Sequence, residues 1–334
     1  REEEPQANEE QPAFDHATYE CIRDRAVLDR WIAHIRDIGH VAIDTETTSL
    51  DEMRADLVGI SLCVDAGKAA YIPLGHTTGG GDLFGASKPA EGQLPLTETL
   101  AALKPLLEDP AILKIGQNMK YDWKIFARHG IRVAPFDDTM LMSYAMHAGL
   151  HNHGMDELSD RYLGHTPIPI KSLLGSGRSQ ITFDKVAIDD AVKYAAEDAD
   201  VTLRLWQLFK PRLHRAKVTT VYETLERPLV PVLADMEMAG IEVDRDTLNR
   251  MSNAFAQKLV QLEEEIHSVA GEKFNVGSPK QLGEILFDRL QLPGGEKGKT
   301  GAYGTGADIL EDITTLEDSH PQGARLAARI LDWR

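Results

Sequence analysis

The stretch HVAIDTETTSLD, residues 40–51, ends an apolar run on two carboxylates, Asp44 and Glu46, two positions apart. Val41 and Ile43 give it the alternation of a half-buried strand. Side chains alternate across a strand, so Asp44 and Glu46 project from one face, a few ångströms from each other. Like charges held that close repel unless a shared proton, a basic partner or a divalent metal offsets them. The rest of the chain has to choose among the three.

Outward from this strand the pattern is mixed α/β. A helix is expected from about Ala26 to Ile38, before the strand. After it, DLVGISLCVDAGKAAYIPL reads as a hairpin turning at Asp65-Ala66-Gly67. The glycine-rich run GHTTGGGDLFGASKPAEG reads as a mobile loop, and no Gly-Lys-Ser/Thr follows it as in a phosphate cradle. Next come a helix (TETLAALKPLLED), a strand (AILKIG) and helices in NMKYDWKIFARHG, DDTMLMSYAMHAG and MDELSDRYLG. In DDAVKYAAEDADVTLRLWQLFKPRLHRA, Val192, Ala195, Ala196, Ala199, Leu203 and Trp206 recur at helical spacing, a core-facing stripe on a long helix. The reading is a mixed sheet flanked by helices over residues 21–217, preceded by an acidic linker over 1–20. Residues 218–334 read as a second, mainly helical region. One of its helices is capped near Asp244 or Asp246 and stopped by Gly271, and another starts at Ser278-Pro279.

At 334 residues the chain has room for two cores. Lys plus Arg number 36 against 53 Asp plus Glu, a net charge of −17, which argues against broad, non-specific nucleic-acid binding. It leaves open an enzyme whose acidic residues hold metal. Cys21 and Cys63 are the only cysteines, so no disulfide framework is expected and a reducing compartment suits the chain. No apolar run has the length of a membrane span. The start at Arg1 and the unstopped last helix read as a fragment.

Two further stretches carry polar groups in register. In GQNMKYD, Asn118 and Asp122 are four apart at a strand-to-helix transition. In YAAED, Tyr194 and Asp198 are four apart, beside the apolar stripe rather than within it. Asp44, Glu46, Asp122 and Asp198 together supply the oxygen ligands that hard divalent cations take, with substrate phosphate completing the shell. Cys and His spacing typical of zinc sites is absent.

In order and spacing, IDTETTSLD, GQNMKYD and YAAEDADVT resemble the three motifs of the proofreading exonuclease domain of the bacterial family A DNA polymerases, the DNA polymerase I family. ERPLVPVLADMEMAGIEVD and FNVGSPKQLGEILFDRLQLP resemble the start of that family's polymerase region, including part of the thumb. The resemblance implies a ribonuclease H-like exonuclease domain of the DEDD type, in its tyrosine variant. It implies two divalent metal ions, Mg²⁺ with Mn²⁺ or Zn²⁺ as alternatives. Asp44, Glu46 and Asp198 would hold the first, and Asp44 and Asp122 the second. Metals roughly 3.5–4 Å apart stabilise both the attacking and the leaving oxygen of a phosphodiester. Tyr194 would hydrogen-bond the attacking water, and Leu50, Gln117 and Asn118 would contact the terminal nucleotides. The implied activity is 3′→5′ removal of 5′-mononucleotides from a single-stranded or frayed DNA 3′ end. The implied setting is a monomer in the bacterial cytoplasm, associated with the nucleoid and with no membrane partner. The palm and fingers would lie beyond Arg334, so no DNA synthesis is expected. One departure stands out: PIPIKSLLG offers Ile170 where an aromatic wedge is expected.

Two other functions fit the same fold, a ribonuclease D-like RNA-trimming enzyme and a silent clamp on a frayed strand. The polymerase-like continuation argues against the first, and the intact acidic positions against the second. Plainer readings hold elsewhere. Glu197 and Asp200 are expected as surface charge, and Asp137 and Asp138 as caps of the next helix. HNHG, residues 151–154, is expected as a helix entry rather than a metal site, and MLMSYAM as core. Lys210, Arg212, Arg215 and Lys217 are expected as a solvated helix end. GEKGKTG, residues 295–301, is the better candidate for phosphate contact.

Overall fold

The computed structural model describes residues 12–78, 88–298 and 301–334. Half of the predicted glycine-rich loop, much of the acidic linker and part of GEKGKTG lie outside the described residues. The chain divides between Gly240 and Ile241 into two compact units.

The first unit is built on a six-stranded sheet in the order β1-β4-β3-β2-β7-β8. Its strands are β1 (Glu20–Cys21), β2 (His40–Thr47), β3 (Leu57–Asp65), β4 (Lys68–Pro73), β7 (Leu113–Gly116) and β8 (Phe136–Asp138). The short pair β5 (Thr77–Thr78) and β6 (Lys88–Pro89) stands apart. β2, β3 and β4 run antiparallel, whereas β7 lies parallel to β2 and β8 parallel to β7. The helices are α1 (Arg25–Ile38), α2 (Leu96–Leu107), α3 (Met119–Arg128), α4 (Thr139–His147), α5 (Met155–Leu163), α6 (Ile170–Leu174), α7 (Ile188–Arg215), α8 (Thr219–Val221) and α9 (Arg227–Ala239).

Local sequence sets the boundaries. Asp24 starts α1 by accepting from the Val27 N–H, and Gly39, at φ 80°, ends it in a left-handed turn that returns the chain into β2. Strand alternation then divides β2 between two cores. Val41 and Ile43 join the layer of α1, α2 and α3, with Leu28, Ile35, Leu103 and Phe126. Ala42 faces the opposite layer, where Ala195, Ala199 and Leu203 of α7 cover the sheet. α7 carries Asp189 and Asp190 in its first turn and Arg212, His214 and Arg215 in its last, complementing its dipole.

Three expectations change. The short β1 and β8 were not legible as strands. Residues 12–20, expected as linker, include a docked stretch: Phe14 stacks on His165 at 3.7 Å between ring centroids, and the Tyr19 hydroxyl donates to Asp200 at 2.9 Å. Glu197 and Asp200, expected at the surface, are 1% and 0% exposed. Glu197 accepts from the Ile168 N–H at 2.6 Å and meets His16 and His165, while Asp200 pairs with Arg204 at 2.8 Å. Burial is tolerable because each carboxylate meets donors. The apolar stripe alone gave α7 one buried face, and the docked stretch covers another.

The second unit consists of α10 (Arg245–Ala270), α11 (Pro279–Gly283), α12 (Ala307–Thr314) and α13 (Pro321–Trp333). Asp244 caps α10, Gly271 at φ 78° ends it, and Ser278 caps α11. Its core gathers Ile266, Leu282, Leu286, Leu310, Leu326 and Ile330. No helix among the described residues is long and apolar enough to cross a membrane.

Candidate active site

Asp44 and Glu46 share the strand parity of Ala42, so both face α7. Tyr194 and Asp198 lie one turn apart on that helix. Oxygens of Asp44, Glu46 and Asp198 fall within 4.8 Å of one another. β2 changes register against β3 between Glu46 and Thr47, a bulge that re-aims the strand end at the site. Gly59 lies opposite Glu46, and a Cβ there would collide with the Tyr71 ring, which crosses that strand position. The Tyr71 hydroxyl is tied to His76 at 2.8 Å. The sequence reading missed this support.

Among the described residues no Lys, Arg or His pairs with the three carboxylates. Glu46 Oε1 is buried with no hydrogen-bond partner. Burial pushes the Asp44 carboxyl up to about 7. Burial, then the charges of Asp44, Asp198 and Asp122, holds Glu46 well above the carboxylate range. Asp198 is raised by burial and then by Asp44. Such a cluster is costly in its charged form, and a divalent cation is the countercharge that its oxygen donors suit. The donor set fits that group.

Asp122 arrives from the other side. β7 runs beside β2 with Ala42 opposite Ile115, so the chain leaving β7 passes the Asp44 end. Asn118 takes a left-handed turn, φ 60° and ψ 47°, into α3, whose first turn holds Asp122. Asp122 is 2% exposed, and its Oδ1 accepts from the Thr45 N–H at 2.9 Å and the Thr45 hydroxyl at 2.5 Å. Burial, then the Asp44 charge, raises it. Asp122 thus stands beside Asp44 without joining the three-carboxylate cluster.

The other expected site residues are placed unequally. Tyr194 is half-buried, and burial, then the charges of Asp198, Glu46 and Asp44, pushes its hydroxyl far up. Leu50 is 91% exposed, on a turn that the Tyr121 hydroxyl holds by donating to the Ser49 carbonyl at 2.6 Å. Asn118 is exposed. Gln117 is close by, but its amide is already engaged, donating to the His153 carbonyl at 2.8 Å and accepting from the Thr139 hydroxyl at 2.5 Å. Ile170 is 36% exposed at the start of α6.

Residues 19–214 match the family described as 3′-5′ exonuclease of DNA polymerase A, and residues 245–334 match DNA polymerase family A. The chain belongs to the family A DNA polymerases. It is 54% identical to DNA polymerase I of Rhizobium leguminosarum over 96% of its own length and 32% of that protein. With DNA polymerase I of Pseudomonas aeruginosa it shares 41% identity over 94% of the chain and 34% of that protein. The chain therefore spans about a third of the length of these relatives. A solved structure described as the POL domain of Pol1 from M. smegmatis in complex with DNA primer-template and dNTP matches with a TM-score of 0.71 and 26% identity. That match covers 93% of this chain and 47% of the other. The family A exonuclease fold is ribonuclease H-like, as the mixed sheet and its flanking helices are here. Membership also implies divalent metal use, which the carboxylate cluster suits.

Proposed function

We propose that this chain is a two-metal-dependent 3′→5′ exonuclease that shortens DNA from its 3′ end and releases 5′-mononucleotides. The observation that carries the reading is the unpaired cluster of Asp44, Glu46 and Asp198 on the family's motifs. Asp44, Glu46 and Asp198 would hold one cation, and Asp44 with Asp122 a second. Mg²⁺, or Mn²⁺ or Zn²⁺ in its place, supplies Lewis-acid polarisation of the scissile phosphate and a more acidic water.

The chain's own groups do the rest. The raised Tyr194 hydroxyl stays protonated near neutral pH, so it orients the attacking water as a hydrogen-bond partner and does not act as a base. Leu50 and Asn118, both exposed, grip the terminal nucleotide. With a net charge of −17 the protein offers few phosphate contacts, which favours a short unpaired 3′ end over duplex. The protein would act as a cytoplasmic monomer, with exonuclease activity over residues 21–217 and a thumb-like region over 218–334.

End-labelled DNA and RNA oligonucleotides incubated with the chain and Mg²⁺ test this. Stepwise 3′ shortening is expected, faster on single-stranded than on blunt duplex DNA, and abolished by chelation. Asp44→Ala should lower the rate by roughly 10³-fold or more. Equal rates on single strand and duplex, preferential RNA cleavage, or near wild-type activity of Asp44→Ala would overturn the reading.

A further inference from the structure

We propose that Asp138 is a positioning residue for the 3′ terminus: its single carboxylate joins the N-termini of α3 and α4 and so fixes Asn118 where the terminal nucleotide is held. The proposal rests on the exonuclease reading above. Asp138 is 1% exposed and forms no ion pair among the described residues. Its Oδ1 accepts from the N–H groups of Met140 and Leu141, at 2.9 and 3.2 Å, which is the ordinary cap of α4. The same oxygen accepts from the Asn118 N–H at 3.2 Å, and Oδ2 from the Met119 N–H at 2.9 Å. α3 has no side-chain cap from its own N-cap residue, Asn118, so this carboxylate serves in its place.

The second half of this contact bears on the site. Asn118 is left-handed, a conformation uncommon outside glycine and one that asparagine reaches more readily than most. Asp138 fastens the backbone on both sides of that turn, four residues before Asp122. Asp138 is itself fixed: its N–H donates to the Tyr222 hydroxyl at 2.8 Å, and that hydroxyl donates to Asp137 at 3.0 Å. Capping α4 alone needs one side-chain oxygen, which a serine provides. The carboxylate reaches both helices, Oδ1 holding α4 and the Asn118 N–H and Oδ2 the Met119 N–H.

Asp138→Ser therefore separates the two roles, keeping the cap of α4 and dropping that of α3. The variant should fold, show faster hydrogen exchange at the Asn118 and Met119 amides, and leave exchange at Met140 and Leu141 close to wild type. On single-stranded DNA its KM should rise about tenfold, the scale of one lost charge-assisted hydrogen bond, with kcat changed less. Affinity for the Mn²⁺ held by Asp44, Glu46 and Asp198, measured by calorimetry, should stay near wild type. Those three lie on β2 and α7, whereas Asp122, proposed for the second cation, lies on α3 itself. Asp138→Asn, which keeps Oδ1 for the Asn118 N–H but turns a donor toward the Met119 N–H, should recover part of the loss. Unchanged exchange at Asn118 and Met119 overturns the proposal, as does a fall in affinity at the Asp44, Glu46 and Asp198 site parallel to the fall in activity. If Asp138→Ser does not fold, the same outcomes are read from Asp138→Asn at reduced size. An inactive wild type would refute the exonuclease reading instead, while exchange would still report on the shared cap.

Discussion

Asp137 and Asp44 lie on strands of the same sheet, the first buried and the second partly buried, and the protein treats them oppositely. Asp137, on β8, is fully buried and surrounded by donors: Lys210 at 2.9 Å, Arg227 at 3.0 Å, the Trp206 indole at 2.8 Å and the Tyr222 hydroxyl at 3.0 Å. Burial pushes its carboxyl up, but Trp206, Lys210 and Tyr222 outweigh burial and hold it below the usual range. Asp44, on β2, has two more carboxylates close by and no cation, and burial pushes it up to about 7. The fold thus satisfies one buried carboxylate with four donors and leaves a cluster of three without countercharge. Asp137 is structural; the Asp44 cluster is the one we propose receives a cation from outside.

Removing each side of this contrast should give opposite signs. Asp137→Ala leaves Lys210 and Arg227 without their buried partner and should destabilise the first unit by about 3 kcal/mol, read from urea unfolding. Because Lys210 and Arg227 are also about a third exposed and share Glu223, a loss below roughly 1 kcal/mol would mean the network is worth little and the contrast weaker than drawn. Next in size, Tyr194→Phe removes a hydroxyl but no metal ligand. It should slow cleavage about 10- to 100-fold with metal affinity unchanged. Loss of metal binding in that variant would show that Tyr194 shapes the cluster rather than the water.

One side of this contrast was legible in the sequence and the other was not. Asp137 was expected as a cap of the next helix and Lys210 as solvated. Yet only Asp138 caps α4, and Lys210 pairs with the buried Asp137 because α7 and the segment after it fold over β8. Period-two alternation through Val41 and Ile43 fixed the common face of Asp44 and Glu46, and i, i+4 spacing did the same for Tyr194 and Asp198. The supporting groups were not legible, because their partners are distant in sequence. Glu197 and Asp200 read as surface charge since the segment that covers them, Phe14 to Tyr19, looked like linker. Asp138 read correctly as the cap of α4, but its hold on Asn118, 20 residues earlier, exists only once β7 and β8 lie side by side. Gln117 shows the converse: its place near the site was expected, and its commitment to Thr139 and His153 was not.

The central claim is that Asp44 is held in its site for a cation. A raised carboxyl favours its neutral form, so the stability it lends is complete below its ordinary value, 3.8, and is lost as pH rises toward about 7. The direct measurement is unfolding free energy of wild type and Asp44→Asn across that window, once with chelator and once with Mn²⁺. In chelator the wild type should lose stability relative to Asp44→Asn as pH rises, ending the less stable of the two near neutrality. Mn²⁺ should reverse the order, stabilising the wild type and leaving the variant nearly unmoved. Parallel pH curves in chelator, or equal stabilisation of both proteins by Mn²⁺, would contradict the account.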